Sequence, residues 1–295
     1  MQKACGRIPT ELLYRSMRNT ACLALLLCLI WPVSAATIVA PTDVIRDYQS
    51  MVGTTPPELY ELRRNAYSRR DAVELLLTCQ ALRLGGYTAP IRFVAIDPYP
   101  RRLAELQTGR ATLTGNTSWL ADLQGRPLDV SPALIESGQF EAALFTAPDN
   151  HRALRSQTLA DIQQLSAVSH RTWTADWQVL QSLRLARLDA APQWVSMVRM
   201  VASKRTDFLL APFQPSEDGS LSEEGRRLVP ISGIKLVLPG SRHLAISRTA
   251  PDASAARQAL EKGLALMHAS KLISRAYQVS GFFLPQGDRR VRINP

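Results

Sequence analysis

Four histidines, His151, His170, His243 and His268, are the first side chains to weigh for chemistry. No two of them stand at metal-ligand spacing, and no H-E-x-x-H run sets a glutamate between a histidine pair. No G-x-S-x-G elbow or phosphate-cradling glycine loop occurs, and Ser137-Gly138 reads as a turn. Each histidine is more simply a loop or core residue than a ligand. Nothing here assembles a nucleophile, a base and an orienting group. Catalysis is not expected, and no metal or cofactor is implied.

Binding chemistry is better provided for. In a doubly wound sheet, ligands lie outside the carboxyl ends of the strands. Asp43 follows the short strand TIVA, residues 37–40, and Tyr99 follows the strand that opens at Ile91. Thr117 and Trp119 stand in the segment GNTSW, residues 115–119. Further on, RTWTADW (residues 171–177) sets Arg171, Thr172 and Trp173 at a helix start, where Thr172 or Thr174 can cap. Phe213 and Gln214 follow a strand that ends near Ala211. A cleft lined by these residues suits a small-molecule ligand. Trp177 shares a face with Leu180, and Trp194 opens the next helix, so packing is the plainer role for both.

The elements that must position these residues alternate. Residues 70–84 form a helix with Val73, Leu76, Leu77, Ala81 and Leu84 on one face, stopped by Gly85-Gly86. Strands are expected at 91–96 and 111–114, with a short helix at 101–108 between them. That order is doubly wound α/β. Residues 44–69 read as an insertion, with a loop at Thr54-Thr55-Pro56-Pro57. After an apolar strand at 140–147 comes a second unit. It has a strand at 167–170, a helix at 175–185, and a helix begun by Pro192 that buries Val195, Val198 and Ala202. Residues 217–225 read as a surface loop, 227–231 and 235–238 as apolar runs, and 254–268 as a last long helix.

The first 35 residues stand apart. Lys3, Arg7, Arg15 and Arg18 precede an uncharged apolar run at 21–31, and Val33-Ser34-Ala35 is a small-residue cleavage site. Eleven residues fall short of the roughly 20 needed to span a bilayer. A removed signal peptide and a periplasmic protein are therefore expected. Its removal lowers the net charge from +10 to +7 and leaves Cys79 as the one cysteine, so no internal disulfide can form. The arginines are scattered, without the basic patch that a nucleic-acid partner requires.

DVSPALIESGQFEAALFTAPDN, residues 129–150, resembles the first crossing strand of the bacterial family 3 extracellular solute-binding proteins. RRLAELQTGRATLT, TLADI, KRTDFLLA and LAISRT resemble further steps of that family, with Thr112 where an aspartate is usual, and the resemblance spans residues 71–283. It implies two doubly wound α/β lobes joined by two crossing hinge strands, the periplasmic binding protein-like II fold. The lobes are then 36–148 with 241–295, and 149–240, with LAISRT as the second crossing strand. It implies a monomeric binding protein that delivers a solute to an inner-membrane transporter or sensor. A dehydratase-like cleft enzyme and a degenerate protein-binding module are the alternatives on the same fold.

Where RTWTADW stands, family members carry a Gly-Thr loop whose backbone N–H groups meet an anionic group of the ligand. Amino-acid binders of the family hold a carboxylate with Thr-x-x-Arg and an ammonium with an aspartate that ends a second-lobe strand. Here Leu120 follows Thr117 at the arginine position, and Ala211-Pro212 stand in place of the aspartate. The chain is thus expected to decline ordinary α-amino acids. It should take a ligand with an apolar or aromatic face, with Arg126 or Arg171 available for a simple organic acid.

Overall fold

The computed structural model describes residues 35–294. The expected signal peptide, Ala35 excepted, lies outside the described residues. A five-stranded sheet opens the fold. β1 (Ala36–Ala40) pairs in parallel with β2 (Ile91–Ala95) on one side and β3 (Leu113–Thr114) on the other. β14 (Ala245–Ser247) follows β3, antiparallel, and β5 (Leu128–Val130) closes that edge. The helices here are α1 (Thr42–Val52), α2 (Arg70–Leu84) and α3 (Tyr99–Gln107).

The supposed insertion at 44–69 begins as a helix. Val44, Tyr48, Met51 and Val52 recur at the helical period along α1 and are buried, a signal legible in the sequence and passed over. α2 is buried on nearly every side: twelve of its fifteen residues, from Arg70 to Leu82, are inaccessible, whereas Leu84 is exposed. Its leucines at 75, 76, 77 and 82 each contribute about 1.5–3 kcal/mol by leaving water. α9 (Ala253–Ala269) lies against α2 so closely that a Cβ on Gly263 would sit 1.8 Å from the Ala81 carbonyl oxygen. Only glycine admits that approach.

The second sheet is built on β6 (Phe140–Thr146), which pairs antiparallel with β9 (Phe208–Pro212). β9 continues in parallel to β7 (Ser166–Ser169), and β7 to β8 (Arg187–Ala190), which forms the edge. Along the other side of β6, the later half takes β11 (Arg226–Pro230) and the earlier half takes β12 (Ile234–Leu238). β10 (Leu221–Glu223) hairpins onto β11 within the stretch read as a loop. α7 (Thr174–Ser182) and α8 (Trp194–Ala202) cover this sheet, and α8 buries Met197, Val198 and Val201. Val195 and Ala202 are only half-buried, and Pro192 precedes the helix cap at Gln193.

The chain passes between the sheets as two antiparallel segments, paired where they leave one sheet and again where they enter the other. Phe140 faces Leu238, and Ile135 faces Arg242. The second crossing is therefore residues 238–242. The run 244–249, read as that crossing, lies inside the five-stranded sheet, where Ile246 faces Leu113 and Asp129. Both segments carry the same apolar pattern, and only long-range pairing separates them.

The carboxyl-terminal segment makes a third passage. α10 (Leu272–Val279) packs on α2, after which Gly281 turns at φ +74°, where an added Cβ would meet the Gln214 carbonyl oxygen at 2.5 Å. β15 (Val291–Arg292) then pairs in parallel with β12. Asn294 brackets Val237, accepting its N–H at 2.9 Å and donating to its carbonyl at 2.8 Å. No described helix is long and apolar enough to cross a membrane.

Candidate functional site

The centre of the site is a carboxylate inside the protein. Glu74, on α2, is fully buried and accepts from Arg70 Nη1 at 2.8 Å, from the Thr117 backbone N–H at 2.8 Å, and from Tyr277 Oη at 3.1 Å. Thr117 Oγ1 also lies 2.9 Å from it. A buried charge is tolerable only when its lone pairs are met in this way. Burial raises the Tyr277 phenol well above its ordinary value, and Glu74 adds to that, so Tyr277 stays neutral and donates.

Arg70 is 7 % exposed and lies over the rings of Phe140 and Phe282, 5.1 and 5.7 Å from their centroids. Burial opposes its charge, but Asp71 and Glu74 outweigh burial and hold it above the usual arginine value. Asp71 shows the converse. Burial would raise its carboxyl, yet Arg70, Arg69 and Arg242 bring it down to about 2. One donor remains unused: Arg70 Nε is buried and has no hydrogen-bond partner.

Arg242, on β13 (Arg242–His243), is 8 % exposed. β13 pairs with β4 (Ser118–Trp119), which brings its guanidinium to the GNTSW segment. Nε donates to Thr117 Oγ1 at 2.9 Å and Nη2 to the Thr117 carbonyl, while the guanidinium lies 4.6 Å over Trp119 and 5.3 Å over Phe140. It makes no ion pair with any described residue. Burial depresses its basicity and Arg70 depresses it further, while Glu74 and Asp71 offset part of the fall.

Asp176 lies in the first turn of α7, which covers the other sheet, and is half-buried. Trp173 caps α7 by position, with no side-chain bond to the first turn. Asp176 likewise has no ion pair with a described residue. A helix amino end favours a carboxylate, and Arg242 and Arg70 attract it. Burial nevertheless wins and raises Asp176 to about 6, with Asp122 adding to the rise.

The residues expected at the cleft divide. Thr117 and Trp119 are buried, Thr117 bonded to Glu74 and Arg242 and Trp119 lying under the Arg242 guanidinium. The Tyr99 hydroxyl donates to Asp122 at 2.9 Å, and burial and Asp122 push the phenol up to about 12. Asp43 is engaged at 2.6 Å by Arg69. On the other sheet Trp173 stacks on His170, 5.8 Å between centroids, and leans toward Trp194. Thr172 binds His170 through its N–H at 3.0 Å, and Arg171 lies over Trp177. Phe213 is buried under Arg290, and Gln214 donates to the Pro212 carbonyl. Arg126 is occupied by the Asp122 carbonyl.

Sequence reasoning missed Arg70, Asp71, Glu74, Asp176, Arg242 and Tyr277. Arg70 and Glu74, four apart at a helix start, were the legible signal. Arg242 meets Thr117 across 125 positions, and nothing local announces it. Among the described residues no group of histidine, cysteine and carboxylate side chains could hold a metal ion.

The chain is similar in fold to solved binding proteins. The L-arginine-bound substrate-binding protein AbpA of Streptococcus pneumoniae matches with a TM-score of 0.53 and 14% identity, over 84% of this chain and 96% of that one. The periplasmic VFT2 domain of Bordetella pertussis BvgS gives 0.52 and 14%, over 88% and 97%. Substrate-binding domain 2 of Lactococcus lactis GlnP, in an open conformation, gives 0.50 and 11%, over 86% and 97%. The likeness is one of fold: mixed α/β, as in type II periplasmic binding proteins. No protein-family model and no curated protein matches the chain.

Proposed function

We propose that this chain is an exported solute-binding protein, released to the periplasm without residues 1–35. Its two lobes close on a small organic ligand and present it to an inner-membrane transporter or sensor. The observation that carries this reading is a buried cationic centre: Arg242 makes no ion pair with a described residue, and Arg70 Nε has no hydrogen-bond partner. Burying a guanidinium without an ion pair costs several kcal/mol, a cost that an acceptor on a ligand would offset. Arg70, Thr117 and Arg242 are each less than a tenth exposed, so a ligand enters only when the lobes part. The departure from Thr-x-x-Arg is then a relocation, with Arg242 bringing a guanidinium to Thr117 in place of Leu120.

Native mass spectrometry of the purified protein tests this directly. A small molecule carried through purification, released on unfolding, and restoring a more compact form by X-ray scattering when added back, is expected. A chain that carries nothing, and whose melting and scattering respond to no small molecule, would refute the reading.

A further inference from the structure

The geometry points to a second, chemical capacity of this chain: Ser241 is a nucleophile activated by His243, and the pair hydrolyses small carboxylic esters. This goes beyond the solute-binding reading above and does not rest on it.

Ser241 and His243 stand two apart at the end of the second crossing, where an extended backbone sends both side chains to one face. Ser241 Oγ lies 2.8 Å from His243 Nε2, and His243 Nδ1 lies 2.8 Å from the Ser131 carbonyl oxygen. A carbonyl can only accept, so Nδ1 carries the proton. In the neutral ring Nε2 then keeps its lone pair, and the Ser241 hydroxyl donates to it. Nucleophile, base and orienting group therefore stand in hydrogen-bond sequence, the arrangement that activates a serine. The third member here is a backbone carbonyl in place of a carboxylate. The run S-R-H showed none of this in sequence, because the orienting group comes from 112 positions away.

The surroundings hold the pair in place. Ser131 donates its N–H to the Leu244 carbonyl at 3.0 Å, and its Oγ accepts from the Leu244 N–H at 2.9 Å, which fixes the carbonyl that orients His243. The Ser241 carbonyl accepts at 3.0 Å from the N–H of Leu120, at the start of α4 (Leu120–Leu123). His243 is buried, whereas Ser241 is half-buried and follows the exposed Pro239 and Gly240, so a reagent reaches its hydroxyl from outside. Gly240, at φ +93°, leaves room beside it: an added Cβ there would stand 3.7 Å from the Trp119 ring. A short acyl group fits such a place, with the indole at its side.

The reaction balances within the pair and one water. Ser241 Oγ bonds to the ester carbonyl carbon while its proton passes to Nε2. The carbon–oxygen bond to the alcohol then breaks, and the alcohol leaves with that proton. Water gives a proton to the same nitrogen as it attacks the acyl-serine, the carboxylic acid departs, and Ser241 recovers its hydrogen.

Two probes test this on the purified protein: a fluorophosphonate, which bonds to an activated serine, and p-nitrophenyl acetate. The expected result is a fluorophosphonate adduct that peptide mass mapping places on Ser241. Release of p-nitrophenol should be about tenfold or more faster than from Ser241→Ala, and His243→Gln should slow both reactions about a hundredfold, as loss of a general base does. Thermal melting reports whether each variant is folded, and should His243→Gln not fold, the mapped adduct and Ser241→Ala decide alone. Absence of an adduct on Ser241, an adduct that forms as fast in folded His243→Gln, or release that Ser241→Ala leaves unchanged overturns the proposal. None of these outcomes touches solute binding, which native mass spectrometry reads separately.

Discussion

The Arg242 guanidinium lies 4.6 Å from the centroid of the Trp119 ring, on the tryptophan two positions beyond the threonine it also holds. A desolvated cation over an indole face is worth about 2 kcal/mol. Trp119→Leu removes the face and, leucine being much smaller, also leaves a cavity at this buried position. It should lower unfolding free energy by more than that amount, read as a lower urea midpoint at unchanged slope.

Glu74 is the hub that makes Arg70 tolerable in the interior. Glu74→Ala leaves a buried guanidinium short of its main partner and strands Tyr277 and Thr117. A loss of about 3–5 kcal/mol is expected, and thermal unfolding should show it as a drop of the order of ten degrees. A loss below 1 kcal/mol would mean that Arg70 escapes to water.

Two acids give stability opposite slopes against pH. Asp71 titrates at about 2 in the folded chain against an ordinary 3.8, so its contribution is complete above the ordinary value and is lost as pH falls through 2. Asp176 is raised from 3.8 to about 6, so the folded chain binds the extra proton, and stability declines as pH rises across that window. Melting temperature measured from pH 2 to 7 should rise, peak near the ordinary carboxyl value and then sag. Asp176→Asn should remove the sag alone, and Asp71→Asn the acid limb alone.

Gly263 lies against the Ala81 carbonyl in the contact between α9 and α2. Gly263→Ala gains helix propensity of about 1 kcal/mol in isolation, but the methyl group must push two helices apart. Net destabilisation beyond 2 kcal/mol is expected in chemical unfolding. A neutral or stabilised variant would show that the helices are free to separate.

Asn294 satisfies both polar groups of Val237 on β12. Asn294→Ala should raise hydrogen exchange at the Val237 amide at least tenfold while leaving amides of β9 unchanged, a pattern that separates local release from global unfolding.

Much of the fold was legible because local chemistry announced it. α2 starts at Arg70 and ends before Gly85 as its composition implies, and α6 (Leu159–Gln163) is opened by a capping box between Thr158 and Asp161. Burial misled in one respect: α2 is apolar around nearly its whole girth, so the single face read from Val73, Leu76 and Leu77 understated it. The candidate site was half legible. Thr117 and Trp119 stand where strand ends dictate, but Arg242 reaches Thr117 through the pairing of β13 with β4, which no short window encodes. Looking for a missing arginine beside Thr117 in sequence could not find one supplied by an antiparallel neighbour.

The third passage of the chain bears on the lobe closure proposed above. Two strands side by side would give that closure freedom to bend and also to twist. A third link, anchored on α2 at one end and on β12 at the other, opposes the twist and favours one rocking axis. Under that proposal, a fluorescent reporter fused beyond Asn294 should register the motion, with a label on α9 as the reference.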